Sequence, residues 1–387
     1  MIKRVSSGLT KLETNPGYQY LLLAAITLLA VALRFYKLGE WSFWGDELFT
    51  IGRAQATFND IGTIFNDIER TVRYWPPLSI ILTGSALHVL GINEWSARLI
   101  PALIGVVSVP ILYFPIRKLF GPAVALVAVL LLVISPWHLY WSQNARYYAA
   151  LLLLYILALF AFFFAIERDR PWYILISLLL LALAVRERQI AIILVPVVIC
   201  YLVLLKVLPW EKPPGLRPRN LALFFLPGLI PALSWAWPYL QGPSLWQTEF
   251  GWAVNRVNNN PFWILAGVVY YVGLPTICLG ALGALYLLLK KDRAALLLSL
   301  AATIPVLAIM ALSPFVYTAN RFAFVSLLSW MVLASVAAKE LISQTQSIAR
   351  ILGVGSLVIL LLAPLSEDVL YYRYQNGNRD DWRAAFA

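Results

Sequence analysis

Leu78-Ser79-Ile80-Ile81-Leu82-Thr83-Gly84-Ser85-Ala86-Leu87-His88-Val89-Leu90 is apolar from end to end and then stops. As a helix it reaches only ~20 Å, whereas the hydrocarbon core of a bilayer is ~30 Å thick. It is therefore either a twelfth crossing or a re-entrant or interfacial helix. The choice sets the side of every later loop. Eleven longer apolar runs surround it, over 18–35, 97–116, 122–140, 147–166, 172–185, 190–205, 221–240, 262–289, 294–312, 322–338 and 351–365.

Basic residues decide between the two readings. If 78–90 does not cross and the N-terminus is cytoplasmic, the inner loops hold 16 Lys and Arg against six acidic residues. The outer side then holds 14 against 13. Eight of the nine lysines fall inside, Lys37 being the exception. If 78–90 crosses, most of that excess moves outside, against the tendency of Lys and Arg to stay in the cytoplasm. The sequence thus predicts an all-α polytopic membrane protein of about 11 transmembrane helices. A long first outer loop, 37–97, carries interfacial or re-entrant helices.

Composition agrees with that class. Of 387 residues, 61% are hydrophobic and 13% charged. The alternating ten-residue segments of a membrane β-barrel are absent. The net charge of +11 is spread over short loops between apolar runs, which argues for orientation and against nucleic acid. Cys200 and Cys278 sit within apolar runs without metal-ligand spacing and read as apolar filler. Two histidines, His88 and His138, do not supply a multi-His metal site. Ala30-Val31-Ala32 has the form of a signal-peptidase site. Apolar residues continue to Phe35 and Asp46 follows closely, so the first run reads as an uncleaved anchor. Residues 1–365 are expected to form the membrane domain. The polar tail 366–387 reads as the start of a soluble domain.

The outer segments are the ones that look chemical. The first is Glu40-Trp41-Ser42-Phe43-Trp44-Gly45-Asp46-Glu47-Leu48-Phe49-Thr50. Charge beside a bilayer is expensive and usually has a use, and a carboxylate there can take a proton from an acceptor hydroxyl. Asp46 can equally cap a helix through Leu48–Ala54, with Glu47 in its first turn. Adjacent residues point apart on a helix, so one of the two faces the site, and Asp46 is the choice. In Tyr74-Trp75-Pro76-Pro77-Leu78 the prolines start the short helix and Tyr74 edges the site. In Asn93-Glu94-Trp95-Ser96-Ala97-Arg98, Glu94 and Arg98 stand at i,i+4 spacing for an ion pair.

Two further outer turns are rich in donors. Ser142-Gln143-Asn144-Ala145-Arg146-Tyr147-Tyr148 holds more of them than an interfacial aromatic belt needs. Arg186-Glu187-Arg188-Gln189 follows a run of about 14 apolar residues, too short to cross unaided. Its charges therefore either lie in a wet cavity or snorkel to the headgroups. Tyr317 and Arg321 together can hold a phosphate.

In this order the segments resemble the GT-C glycosyltransferases, nearest to the branch of protein mannosyltransferases and aminoarabinose lipid A transferases. Trp44-Gly45-Asp46-Glu47, Pro76-Pro77-Leu78, Glu94 to Ala102 with Gly105, Arg117-Lys118-Leu119-Phe120-Gly121, Ser135-Pro136 with Ser142 to Tyr148, and Arg321 carry the likeness. Two features depart from it. Arg186–Gln189 is more charged than in many relatives, where a histidine is common, and the soluble outer domain of many relatives does not follow Arg383.

The resemblance implies an inverting enzyme that moves a sugar from a polyprenyl-phosphate donor to a hydroxyl on a lipid, glycan or protein acceptor. Asp46 is the base it implies, with Glu47 beside it. Arg321, Tyr317, Arg146 and Arg98 are then expected at the donor phosphate. Tyr74, Gln143, Asn144, Tyr147, Arg186 and Arg188 are expected to line the cavity, amid membrane lipids. No cofactor is required, because arginine alone balances a monophosphate leaving group. A divalent metal, if used, would sit at Asp46 and Glu47. The expected location is the plasma (inner) membrane, N-terminus cytoplasmic and active face outward. Three other readings remain at this stage: a lipid-linked sugar flippase, a metal-dependent GT-C enzyme with a diphosphate-linked donor, and a structural subunit of a larger complex. A flippase would place its contacts near the midplane, often on inverted repeats; no repeat is visible and the polar segments gather on one face. A structural subunit leaves the ordered motifs unexplained.

Overall fold

A computed structural model describes residues 12–59, 76–241 and 260–373, with backbone alone for 230–241. Among the described residues the chain is all α-helix and 3-10 turn, with no strand. In chain order the helices are α1 (Pro16–Phe35), α2 (Gly45–Asn59), α3 (Leu78–Leu90), α4 (Glu94–Phe120), α5 (Pro122–Val133), α6 (Pro136–Ser142), α7 (Tyr148–Arg168), α8 (Pro171–Glu187), α9 (Leu194–Val207), α10 (Pro218–Gln241), α11 (Phe262–Val272), α12 (Leu274–Leu289), α13 (Arg293–Leu312), α14 (Leu327–Ser343) and α15 (Ser347–Arg373).

Each of the eleven apolar runs coincides with helix. Among the described residues seven helices, the 3-10 turns before α9 and α14 included, are long and apolar enough to cross a membrane. Two bent pairs, α5 with α6, turned by 60°, and α11 with α12, turned by 93°, make it up to nine among the described residues if each pair is one span. Helix α3 has 13 residues, so it falls short of a crossing length. The last helix runs on to Arg373, into the expected tail; 374–387 lie outside the described residues.

Local chemistry sets the breaks. Asn15 caps α1 by accepting from the Tyr18 N–H, with Pro16 in the first turn, where no amide donor is needed. Asn93 and Ser96 form a reciprocal capping box at the start of α4. Between α5 and α6, Ser135-Pro136 ends one helix and starts the next, the Ser135 hydroxyl accepting from the His138 N–H.

The core lies along α7 and the 3-10 turn plus α14, both almost wholly buried, while α1 and α15 ride on the outside. A second, smaller core of Ile51, Ala54, Ile80, Leu87, Ala97 and Ala145 joins α2, α3, α4 and the α6–α7 connection. Two glycines allow the close approaches. A Cβ at Gly105 would stand 2.4 Å from the Ser142 hydroxyl, and one at Gly84 would stand 2.6 Å from the Ala54 carbonyl. The first lets α4 meet α6; the second lets α3 meet α2.

The N-terminus of α3 is docked by a distant carboxylate. Glu187, at the end of α8 and nearly sealed from solvent, accepts from the Ser79 N–H at 2.9 Å and the Ser79 hydroxyl at 2.5 Å. The N-terminal dipole of α3 favours this negative charge, and Arg53 of α2 lies within electrostatic reach. Glu187→Gln keeps one acceptor oxygen, turns an amide NH2 toward the other Ser79 donor and removes the charge. We expect it to lower stability by ~1–3 kcal/mol, read as an earlier thermal transition of the purified protein in detergent. An unchanged transition would mean that α3 is held by packing alone.

Candidate active site

Glu47 and Asp46 open α2 and turn opposite ways. Glu47 is fully buried. It pairs with the Arg98 guanidinium through both oxygens, at 2.9 and 2.8 Å, and accepts from the Ala145 N–H at 2.8 Å and the Trp44 N–H at 3.3 Å. Arg98, equally buried, gives its remaining donors to the carbonyls of Leu38, Trp41 and Ser42. One carboxylate thus ties the turn after α1, helix α4 and the α6–α7 connection together. Arg98 was expected at a donor phosphate, yet no N–H of its planar fork is left for one. The Glu94–Arg98 pairing suggested by spacing gives way to Glu47, 51 residues away in sequence.

Asp46 faces the other way, its side chain 38% exposed. Arg146 stands beside it at 3.4 Å and donates to the Asp46 carbonyl and the Thr50 hydroxyl, both at 2.8 Å. The same guanidinium lies 4.9 Å from the Tyr147 ring. Arg188 approaches that ring from α8, at 5.6 Å, and the Phe322 ring at 5.3 Å. Among the described residues it has no ion pair. Arg321 donates to the Tyr317 hydroxyl at 3.3 Å and lies within electrostatic reach of Asp46, Tyr147 and Tyr148. Three arginines from three parts of the chain therefore converge on Tyr147, Tyr148 and Phe322, beside one accessible carboxylate. The Nε groups of Arg146 and Arg321 are buried, with no acceptor among the described residues.

Gln143 and Asn144, expected to line the cavity, are buried and tied to the scaffold. The Gln143 amide nitrogen donates to the carbonyls of Leu33, Arg34 and Tyr36 at the end of α1, and its oxygen accepts from the Tyr371 hydroxyl at 2.7 Å. Asn144 accepts from the Trp44 indole N–H at 2.9 Å and donates to the Tyr140 carbonyl. Both fix the walls by hydrogen bonds to their own neighbourhood. Arg186 is exposed at the end of α8, and Tyr74 lies outside the described residues.

Several residues absent from the expected set matter here. Arg34, fully buried in α1, donates to the carbonyls of Val133 and Leu132 at the end of α5 and to the His138 Nδ1 at 2.8 Å. It satisfies carbonyls orphaned by the α5–α6 break, while Gln143 does the same for α1, so the two segments cap one another. The only sequence signal for Arg34 was a cation inside an otherwise apolar run. Tyr148 stood in the donor-rich segment 142–148 without an assigned role, and Phe322 stood only as the first residue of an apolar run.

A divalent metal at Asp46 and Glu47 does not fit this donor set. Both Glu47 oxygens are committed to Arg98 and backbone N–H groups, and no cluster of three His, Cys, Asp or Glu side chains occurs among the described residues.

Residues 75–235 match the family model described as dolichyl-phosphate-mannose-protein mannosyltransferase. No curated protein matches the chain by sequence. The fold is similar to the crystal structure of ArnT from Cupriavidus metallidurans bound to undecaprenyl phosphate, with a TM-score of 0.63 and 17% identity, covering 93% of this chain and 73% of that one. It is also similar to the archaeal oligosaccharyltransferase AglB from Archaeoglobus fulgidus in complex with an inhibitory peptide and a dolichol-phosphate. There the TM-score is 0.63 and the identity 16%, over 95% of this chain and 57% of that one. At such identities the likeness is one of fold, and this chain spans little more than half the length of AglB.

Proposed function

This chain is GT-C-like, resembling the ArnT, protein mannosyltransferase and AglB group in fold and family-model match, and from that premise we propose that it is an inverting glycosyltransferase using a polyprenyl-phosphate sugar. The observation that carries the proposal is the convergence of Arg146, Arg188 and Arg321 beside the accessible Asp46. A lipid-phosphate donor needs cations where its leaving group gathers charge, and its acceptor hydroxyl needs a base.

In the proposed reaction the acceptor oxygen attacks the anomeric carbon from the Asp46 side. The bond from that carbon to the phosphate oxygen breaks, and its electron pair leaves with the polyprenyl phosphate. The acceptor proton passes to Asp46. Arg321 and Arg188 are the cations placed to meet the departing phosphate. Arg146 holds the Asp46 backbone and carboxylate in place. Glu47 and Arg98 act only as the frame behind them. The site is proposed to face outward from the plasma-type membrane, with the N-terminus and the Lys-rich loops inside.

The test is reconstitution with a radiolabelled polyprenyl-phosphate sugar and membrane extract. Label passing to a new acceptor supports the proposal; labelled donor crossing the bilayer without transfer points to a flippase. Within this assay Arg321→Ala is expected to lower kcat by about 10²–10³, the usual loss for one transition-state donor. Arg321→Lys is expected to recover part of it, since an ammonium keeps the charge without the fork. Equal activity in all three proteins would remove Arg321 from the donor site.

A further inference from the structure

The end of the bundle away from the site carries a cavity of about 370 Å³ among the ends of α4, α7 and α13. Two of these helices measure its distance. From Arg98 to Lys118 along α4, and from Tyr148 to Arg168 along α7, each path is about 20 residues, or ~30 Å of helix. The cavity thus lies one hydrocarbon thickness from the site, at the opposite boundary.

Its lining is unusually basic. Lys118, Arg168, Lys291 and Arg293 face it together with Glu167 and Asp292. The two acids are already engaged. Glu167 pairs with Arg293 through both oxygens, at 2.7 and 2.6 Å, and Asp292 caps α13 by accepting from the Ala295 N–H. Lys118 and Arg168 instead flank one ring, that of Phe164, at 5.3 and 5.2 Å. Among the described residues neither has a carboxylate partner, and neither does Lys291. Orientation of the chain in the membrane needs cations on this side, but it needs no cavity and no arrangement around a ring.

We propose that this cavity is a binding site for the phosphate head group of an anionic phospholipid in the leaflet opposite the catalytic site. Basic pockets between membrane helices take such head groups. Phe164 and the neighbouring apolar stem of Leu119 supply the wall against which the glycerol and upper acyl carbons lie. The committed pair Glu167–Arg293 forms the floor, so the charge open to a ligand is that of Lys118, Arg168 and Lys291. A head group with two phosphates matches three cations better than one with a single phosphate. This site is independent of the reaction proposed above, and its lipid is not a substrate.

The test is lipid retention on the purified full chain, by native mass spectrometry, with added cardiolipin or phosphatidylcholine. Wild type is expected to retain cardiolipin in preference. Lys118→Gln/Arg168→Gln is expected to bind it about 30-fold more weakly, for two cations removed from a head group. The control pair Lys206→Gln/Lys212→Gln, elsewhere on the basic side, is expected to bind as wild type does. An unchanged melting temperature shows that both double variants are folded. Equal retention by the Lys118/Arg168 variant, an equal loss in the control pair, or equal retention of phosphatidylcholine would overturn the proposal. So would displacement of the lipid by inorganic phosphate, which would assign the cavity to a free anion instead.

Discussion

Asp46→Asn is expected to lower sugar transfer by about 10²–10⁴, the range that a positioned general base contributes, while the purified protein melts as wild type does. The separation of the two readouts follows from where Asp46 sits. Its side chain is more than a third exposed and its ion pair with Arg146 is long. Pairs of that kind contribute at most ~1 kcal/mol to stability. The bonds that hold the start of α2 run through the Asp46 carbonyl, Thr50 and Glu47, none of which the substitution touches. Asparagine keeps the shape and loses only the ability to accept a proton as a carboxylate does. Donor binding, measured separately, should change little. If the asparagine variant transfers sugar at the wild-type rate, the base lies elsewhere.

The neighbouring pair gives the opposite result. Glu47→Ala and Arg98→Ala each strand a fully buried charge, and each is expected to cost ~3–5 kcal/mol. The measurement is thermal unfolding in detergent, supported by the yield of monodisperse protein. Glu47→Leu combined with Arg98→Met removes both charges and fills the space, and it should recover much of the loss, since hydrophobic replacements of buried pairs are often tolerated. Recovery will be incomplete. The carbonyls of Leu38, Trp41 and Ser42 and the N–H of Ala145 lose their partners with the pair. A double variant no more stable than either single one would mean that these backbone contacts, and not the ion pair, hold the turn.

These two expectations also mark what was legible in the sequence. The apolar runs are, because burial in lipid requires a long uninterrupted stretch, and every run coincides with helix. The turns within 122–140 and 262–289 are not. Ser135-Pro136 and Gly273 were there to be read, but hydropathy does not register a bend. At the site, local rules reached their limit at Arg98. The i,i+4 rule offered Glu94, whereas the actual partner comes from another helix and a distant part of the chain. Gln143 and Asn144 looked like ligands because they are polar at a turn. Carbonyls freed at the ends of α1 and near α6 claim them first, and those carbonyls exist only once the helices end where they do. Arg34 was hidden by its own surroundings, since a single cation near the end of an apolar run also fits a snorkelling side chain.

The exchange of caps between Arg34 and Gln143 has a thermodynamic consequence for the chamber. One wall, from the end of α1 through α6 to Ala145, is cross-linked by buried hydrogen bonds and opens only if several break together. The wall opposite is different: Arg188 is held by aromatic rings, and Arg321 by one ring and a 3.3 Å hydrogen bond. Long side chains so held keep much of their rotamer freedom and give it up on binding, at ~0.5–1.5 kcal/mol each. Under the proposed reaction the entropy of ordering therefore falls on the donor phosphate. The acceptor meets a carboxylate on a preorganised frame, so acceptor affinity is the less sensitive of the two to temperature and to changes in the arginines.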